Sequence, residues 1–210
     1  VVETIRAVKD DHEIDAIARA AMIADSIYVS LSEEGLVGRT ERDVAWRIEQ
    51  LAREGGASGL SFPSIIAAGP HGALPHAEPR DVAIEAGQLV VLDFGVMHGG
   101  YCSDCTRTFA TGPISDAARA VYELVLDAQL KSLAAVLVGA DCKAVDAVAR
   151  DVISADGFGD KFGHSLGHGV GIEVHELPTL SSRSEGTLVA GNVVTVEPGV
   201  YIEGEFGVRI

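Results

Sequence analysis

Apolar residues recur at Ile14, Ile17, Ala21, Ala24, Tyr28 and Leu31, in steps of three and four behind the charged stretch Lys9-Asp10-Asp11-His12-Glu13. That period marks one long amphipathic helix. Thr40 followed by Asp43 has the spacing of a capping box, and Val44, Ile48 and Leu51 carry the buried stripe of a second helix until Gly55-Gly56 stops it. Ser61 to Ala68 reads as a strand, Gly69-Pro70-His71-Gly72 breaks it, and the loop beyond presents Leu74-Pro75-His76. Leu89 to Gly95 and Tyr101 to Ala110 are β-rich runs on either side of His98-Gly99-Gly100, a hairpin signature. The second half repeats the order, with helices from about Ser115 to Val138 and from about Asp141 to Ser154, then a glycine-rich loop and strands. Gly38, Val44 and Leu51 match Gly139, Val145 and Val152 at a constant offset of 101, and Val91 to Gly95 aligns with Thr195 to Gly199 at an offset of 104. The pattern predicts an α+β fold built from duplicated helix-helix-strand halves. With no low-complexity linker between them, the halves are expected to share one core.

Composition narrows the function classes. A chain of 210 residues with 47% hydrophobic and 22% charged residues is long enough for one large domain and too apolar for disorder. Lys+Arg is 16 against Asp+Glu 31, a net charge of -15 that repels phosphate backbones and anionic lipid, so neither nucleic acid nor a membrane is expected as a partner. Apolar runs such as Leu133 to Val138 fall well short of the roughly 20 residues of a membrane span, and the N-terminus has no basic region followed by an apolar core. Three cysteines, an odd number, fit reduced thiols and a cytoplasmic setting. The chain begins at Val1 and stops at Ile210 inside an apparent strand, so residues 1–210 are expected to be one domain of a longer protein.

Asp93 ends the apolar run Leu89-Val90-Val91-Leu92, where a carboxylate is costly unless something pairs with it. If the hairpin turns on His98-Gly99, Asp93 lies directly opposite Asp104 with Cα atoms about 4.5–5.5 Å apart. Two like charges so placed either share a proton or hold a cation. Between Phe162 and Glu176 stand three of the seven histidines, His164, His168 and His175, in a stretch whose glycines exclude a helix. The paired i,i+4 histidines of a zinc-protease helix are therefore absent, and a strand is expected after the glycines, through Ile172 and Val174. Imidazoles so spaced suit divalent metals and proton transfer near neutral pH. Gly163-His164-Ser165-Leu166-Gly167 satisfies the nucleophile elbow of serine hydrolases but lacks the strand before it and the helix after it. Cys102-Ser103-Asp104-Cys105 is formally Cys-x-x-Cys, yet in a strand its thiols diverge; both are read as packing residues, with Cys102 facing the carboxylate site. Glu197 stands at the end of the apolar run Val193 to Val196, mirroring Asp93 under the duplication.

Five motifs in order resemble the pita-bread metallopeptidases, the family of methionine aminopeptidase, aminopeptidase P, prolidase and creatinase. They are Leu74-Pro75-His76, Val91-Leu92-Asp93-Phe94-Gly95, Ser103-Asp104-Cys105-Thr106-Arg107-Thr108, Gly167-His168-Gly169-Val170-Gly171 with His175-Glu176, and Val194-Thr195-Val196-Glu197-Pro198-Gly199. The resemblance implies a curved antiparallel sheet flanked by the duplicated helices. It also implies two divalent metals, manganese first and cobalt second, held by Asp93, Asp104, His168 and Glu197, with a further glutamate expected after Gly207-Val208-Arg209-Ile210. Tyr201-Ile202-Glu203-Gly204 resembles the proline-specific branch, Xaa-Pro dipeptidase and aminopeptidase P, more than methionine aminopeptidase. By that resemblance the substrate is a peptide with proline in second position, an N-terminal domain precedes this one, and the full-length protein is a homodimer. Glu197 then takes the proton of the attacking water, His76 and His175 hold the scissile carbonyl, His164 meets the proline side, and Arg209, with Tyr201 beside it, orients Asp93. The alternatives are a methionine aminopeptidase and a non-catalytic binding module of the same fold.

Overall fold

The computed structural model describes residues 2–210. After a short helix α1 (Val2–Arg6), α2 (Asp11–Glu34) starts at a capping box that Asp10 and Glu13 close reciprocally, and α3 (Glu41–Glu54) starts at the box of Thr40 and Asp43. The stripe α2 buries is Ile17, Ala20, Ala24, Ile27, Tyr28 and Leu31, so Ile14 and Ala21 of the expected stripe face solvent. Tyr28 ties this helix to the sheet, its hydroxyl donating to the carbonyls of Leu92 and Cys105.

Strands β1 (Gly59–Leu60), β2 (Ile65–Ala68), β3 (Leu89–Phe94), β4 (Val96–His98), β5 (Tyr101–Cys102) and β6 (Cys105–Ala110) complete the first half. Of the single strand expected from Ser61 to Ala68 only Ile65–Ala68 forms, and β1 lies before the expected start. All pairings are antiparallel, in the orders β1-β4-β5 and β2-β3-β6. The hairpin turns on Gly99-Gly100, both at positive φ, and not on His98-Gly99. That shifts the register by two residues, and Asp93 lies opposite Thr106 where Asp104 was expected. The shift preserves side-chain parity, and Asp104 sits in the break between β5 and β6.

In the second half α4 (Asp116–Ala135) and α5 (Cys142–Ala155), capped by Ser115 and Asp141, are followed by β7 (Gly167–Gly169), β8 (Glu176–Leu180), β9 (Gly199–Ile202) and β10 (Phe206–Arg209). β7 pairs with β8, and β9 with β10. The expected strand through Ile172 and Val174 begins only at Glu176. Val193 to Glu197 forms no regular strand; it runs beside β7 through Thr195 N–H to His168 O and Glu197 N–H to Leu166 O. The duplication extends to single contacts. Thr40 bridges Ala83 as Asp141 bridges Thr187, Gly38 N–H donates to Ile84 O as Gly139 N–H does to Leu188 O, and Gln88 caps Glu85 N–H as Asn192 caps Val189 N–H.

The halves do not share one core. Ile27, Leu31, Ile48, Ile66, Leu92 and Phe94 centre one cluster; Val121, Val125, Val145, Ile153, Leu166 and Val208 centre the other. Polar side chains drawn from both halves gather in a cavity that neither cluster could fill without burying charge. The crossing that delivers Asp104 depends on Gly95, where a Cβ would stand 1.7 Å from the Ser103 carbonyl oxygen. Backbone cannot yield as a side chain would, so Gly95→Ala is expected to cost at least about 3 kcal/mol. Thermal unfolding should show this as a Tm lowered by roughly 6 °C or more.

Candidate metal centre

Asp93 closes β3, Asp104 follows β5, His168 is the middle of β7 and Glu197 lies in the segment beside it. Carboxylate oxygens of Asp104 and Glu197 and the His168 ring lie within 4.8 Å of one another. His168 Nε2 is 3.3 Å from Asp104 Oδ2 and 3.1 Å from Glu197 Oε1, while Nδ1 faces the Gly169 carbonyl at 3.0 Å. With Nδ1–H given to the Gly169 carbonyl, Nε2 is the nitrogen left facing the carboxylates, and it can serve a metal ion once it gives up its proton. Asp93 lines the same cavity, its Oδ2 held by Arg209 Nη2 at 2.6 Å and its buried Oδ1 without a hydrogen-bond partner among the described residues.

The electrostatics follow from burial of like charges. Burial raises the Asp93 carboxyl to about 7; Arg209 opposes the shift, and Asp104 and Glu197 add to it. Asp104 is likewise raised by burial against the pull of His168. Burial also raises Glu197, but its bonds to His168 and Thr195 outweigh this and hold it below the ordinary range. For His168 burial acts downward, and the two carboxylates overcome it and lift the imidazole to about 10. The histidine proton thus bridges two carboxylates in the place where a cation would do so. A buried oxygen lacking a donor, two crowded acids and an imidazole form a hard, mixed N/O donor set that fits a divalent metal ion.

Around this centre the cavity, about 590 Å³, is walled by His76, His164, His175, Phe62, Ile65 and Leu177. The His175 ring lies tilted against that of His168, their centroids 4.2 Å apart. His164 Nε2 meets the Tyr201 hydroxyl at 2.8 Å, and that hydroxyl accepts from Arg209 Nη1 at 2.7 Å. Burial lowers the pKa of both His164 and His175, which favours their neutral forms. Every acid and histidine singled out in the sequence for this site reaches the cavity, as does Arg209, and Tyr201 touches His164 and Arg209. Cys102 does not face it: the thiol packs with Ile17 and Val170, and Cys105 packs against the first core.

Several participants gave little sign in the sequence. Thr195 Oγ1 donates to Glu197 Oε1 at 2.8 Å and accepts from His168 N–H at 3.0 Å, joining two donors of the centre. Thr106 Oγ1 accepts from Arg209 Nε at 3.2 Å. Glu176, next to His175, is buried against Lys9 at 3.1 Å and against Arg6, and so fastens α1 to the cavity wall. The two-residue spacing of Thr195 and Glu197 is a signal that could have found the first; the partners of Glu176 lie some 170 residues away in sequence and leave none.

The sequence profile of Metallopeptidase family M24 matches residues 12–210. The chain belongs to metallopeptidase family M24. It is 43% identical over 210 residues to the Xaa-Pro dipeptidase of Pyrococcus furiosus, covering 100% of this chain and 60% of that protein. Among solved structures, Xaa-Pro dipeptidase from Bacillus anthracis superposes at a TM-score of 0.98 with 44% identity, over 100% of this chain and 59% of that one. X-Pro aminopeptidase from Thermotoga maritima gives 0.96 and 42%, over 100% and 59%. The chain spans about 60% of the length of the curated relatives it matches. The M24 fold is the pita-bread fold, and the duplicated α+β halves are its two leaves. No helix among the described residues is long and apolar enough to cross a membrane.

The crowded carboxylates make a pH prediction for the cation-free M24 domain. His168 is raised above its ordinary 6.5, so its stabilising contribution is complete below that value and is lost as pH rises towards about 10. With chelator present, Tm should therefore fall across that window, and manganese or cobalt ions should raise Tm and flatten the profile. At about 100 times its dissociation constant a ligand adds roughly 2.7 kcal/mol, a rise of roughly 5–10 °C in a chain of this size. A Tm indifferent to cations would contradict the fit.

Proposed function

We propose that the protein is a dinuclear-metal peptidase that hydrolyses the bond between an N-terminal residue and proline. The observation that carries the reading is the convergence of Asp93, Asp104, His168 and Glu197, from both halves of the chain, on one cavity edged by three further histidines. Asp93, Asp104, His168 and Glu197 would hold the metals, manganese first and cobalt second. When bound, such metals would lower the pKa of a water towards neutrality and polarise a carbonyl. Glu197, its Oε1 accepting from Thr195 Oγ1, takes the proton of the attacking water. His76 and His175 face the cavity where they can donate to the scissile carbonyl and the developing oxyanion. His164, fixed by Tyr201, contacts the proline side, and the apolar wall of Phe62, Ile65 and Leu177 suits a pyrrolidine ring. Arg209 keeps Asp93 turned towards the centre. The relatives named as Xaa-Pro dipeptidases and X-Pro aminopeptidase support this substrate class. Three free cysteines fit a reducing, cytoplasmic setting, and a homodimer is the proposed assembly.

The test is hydrolysis by protein stripped with chelator and reloaded with manganese or cobalt. Ala-Pro should be cleaved by the loaded protein alone and in preference to Met-Ala; the opposite preference would assign a methionine aminopeptidase. Failure to take up either metal at any concentration would point to a binding module. His76→Ala and His175→Ala should each lower kcat by about 10²-fold with metal content unchanged.

A further inference from the structure

Glu41 opens α3 and is wholly buried, yet it touches neither the metal centre nor the cavity. Its carboxylate accepts from Ala68 N–H at 3.0 Å, Arg80 N–H at 2.9 Å, Arg80 Nε and Nη2 at 3.0 Å each, and stands 3.0 Å from His71 Nδ1. Burial pushes this carboxyl up, but the donors outweigh it and hold it ionised below the ordinary range.

All those donors flank one loop. Ala68 ends β2 before it, His71 lies in its opening 3₁₀ turn over Gly69–Ala73, and Arg80 closes it. Arg80 is tied a third time, its carbonyl accepting from Arg42 N–H at 3.2 Å. Between these fastenings the loop carries His76 into the cavity. The His76 ring makes no hydrogen bond to another described residue, so no partner side chain places it and its position at the cavity rests on where the loop backbone roots it. One further fastening lies next to it: the Pro75 carbonyl accepts from Arg209 Nη1 at 3.2 Å.

The second half repeats the device. Asp146 on α5 is wholly buried and accepts from Leu166 N–H at 3.0 Å and from Arg150, whose guanidinium also reaches the Phe162 and His164 carbonyls. In each half a buried acid on the second helix holds the loop that bears a cavity histidine. A loop needing only closure could satisfy its donors with water. A buried charge gathering donors from both ends instead fixes position, at a desolvation cost that mere closure does not require.

We propose that Glu41 is a positioning residue for peptide hydrolysis, clamping residues 68–80 so that His76 is held against the scissile group. This rests on the peptidase reading above. The test compares Glu41→Gln, His76→Ala and the double variant in manganese-loaded protein with Ala-Pro as substrate. Glu41→Gln is expected to lower kcat by about 10- to 100-fold, with KM and manganese affinity within about threefold. In the His76→Ala background the same change should cost less than about threefold, because the clamp acts through that ring. Equal losses in both backgrounds, or no loss in either, would overturn the proposal.

A readout independent of turnover separates its failure from that of the reading it rests on. The amides of Leu74 and Ala77, which donate to the His71 and Leu74 carbonyls, should exchange about tenfold or more faster in Glu41→Gln while those of 89–94 stay unchanged. If manganese-loaded wild type cleaves no Xaa-Pro dipeptide, the peptidase reading falls and exchange alone decides the clamp; unchanged exchange at Leu74 and Ala77 overturns it. Should Glu41→Gln not fold, Arg80→Gln, at a partly exposed side chain, is expected to give the same pattern at smaller size, and its absence is the contrary result.

Discussion

Repulsion between carboxylates withdrawn from water is the constraint around which this molecule is arranged. Asp93, Asp104 and Glu197 stand in one cavity, and burial raises the cost of each charge. A low dielectric magnifies attraction and repulsion alike, so the cluster survives only where positive charge is supplied at fixed positions. His168 supplies it between Asp104 and Glu197, and Arg209 supplies it at Asp93. The His168 position can be taken over by a cation, since an imidazole gives up its proton; the Arg209 position cannot, since a guanidinium stays charged. One positive charge is therefore exchangeable and the other is permanent, the division that a metal site with a fixed brace requires.

The duplication explains where the cavity lies. Each half buries its own apolar cluster beneath its own helix pair, and each sends a carboxylate, Asp93 or Glu197, to the end of the corresponding segment. Facing one another across the pseudo-twofold relation, these segments bring their acids together without either core having to enclose a charge. The symmetry is broken where chemistry needs a nitrogen donor. His168 sits in β7, whose flanking glycines let the Thr195 and Leu177 backbones pass within distances that any Cβ at Gly167 or Gly169 would obstruct.

Helices and chemistry were legible in the sequence to different depths. The capping box of Thr40 and Asp43, the stop at Gly55 and the helix start at Asp141 are local signals, and each lies where the pattern put it. The partnership of Asp93 with Asp104 was legible as crowding but not as register. Two adjacent glycines at 99 and 100 offered a turn with positive φ at both centres, and that turn won over His98-Gly99. Because the error was two residues, parity survived and both acids still reach the cavity. The single core was inferred from the absence of a linker, and composition carries no trace of a polar cavity between two apolar clusters. Glu41 was invisible for a deeper reason. A glutamate in the first turn of a helix reads as a solvated partner of the dipole, and only the return of the chain at Ala68, His71 and Arg80 turns it into a buried hub.

Arg209 shows how a few fixed donors can set several angles at once. Its Nη2 holds Asp93, its Nε reaches Thr106 on the neighbouring strand, and its Nη1 is shared by the Tyr201 hydroxyl and the Pro75 carbonyl. Tyr201 passes the constraint on to His164, and Pro75 is the residue before His76. One planar group thus relates a carboxylate of the centre to two of the cavity histidines. A lysine could neutralise Asp93 equally well, but a single ammonium on a flexible stem cannot direct donors along these divergent lines. The orientation of the histidines and the charge of the centre are accordingly coupled through one side chain. That coupling is why an arginine, buried at 4% exposure among strands, belongs to the candidate metal centre as much as the acids it faces.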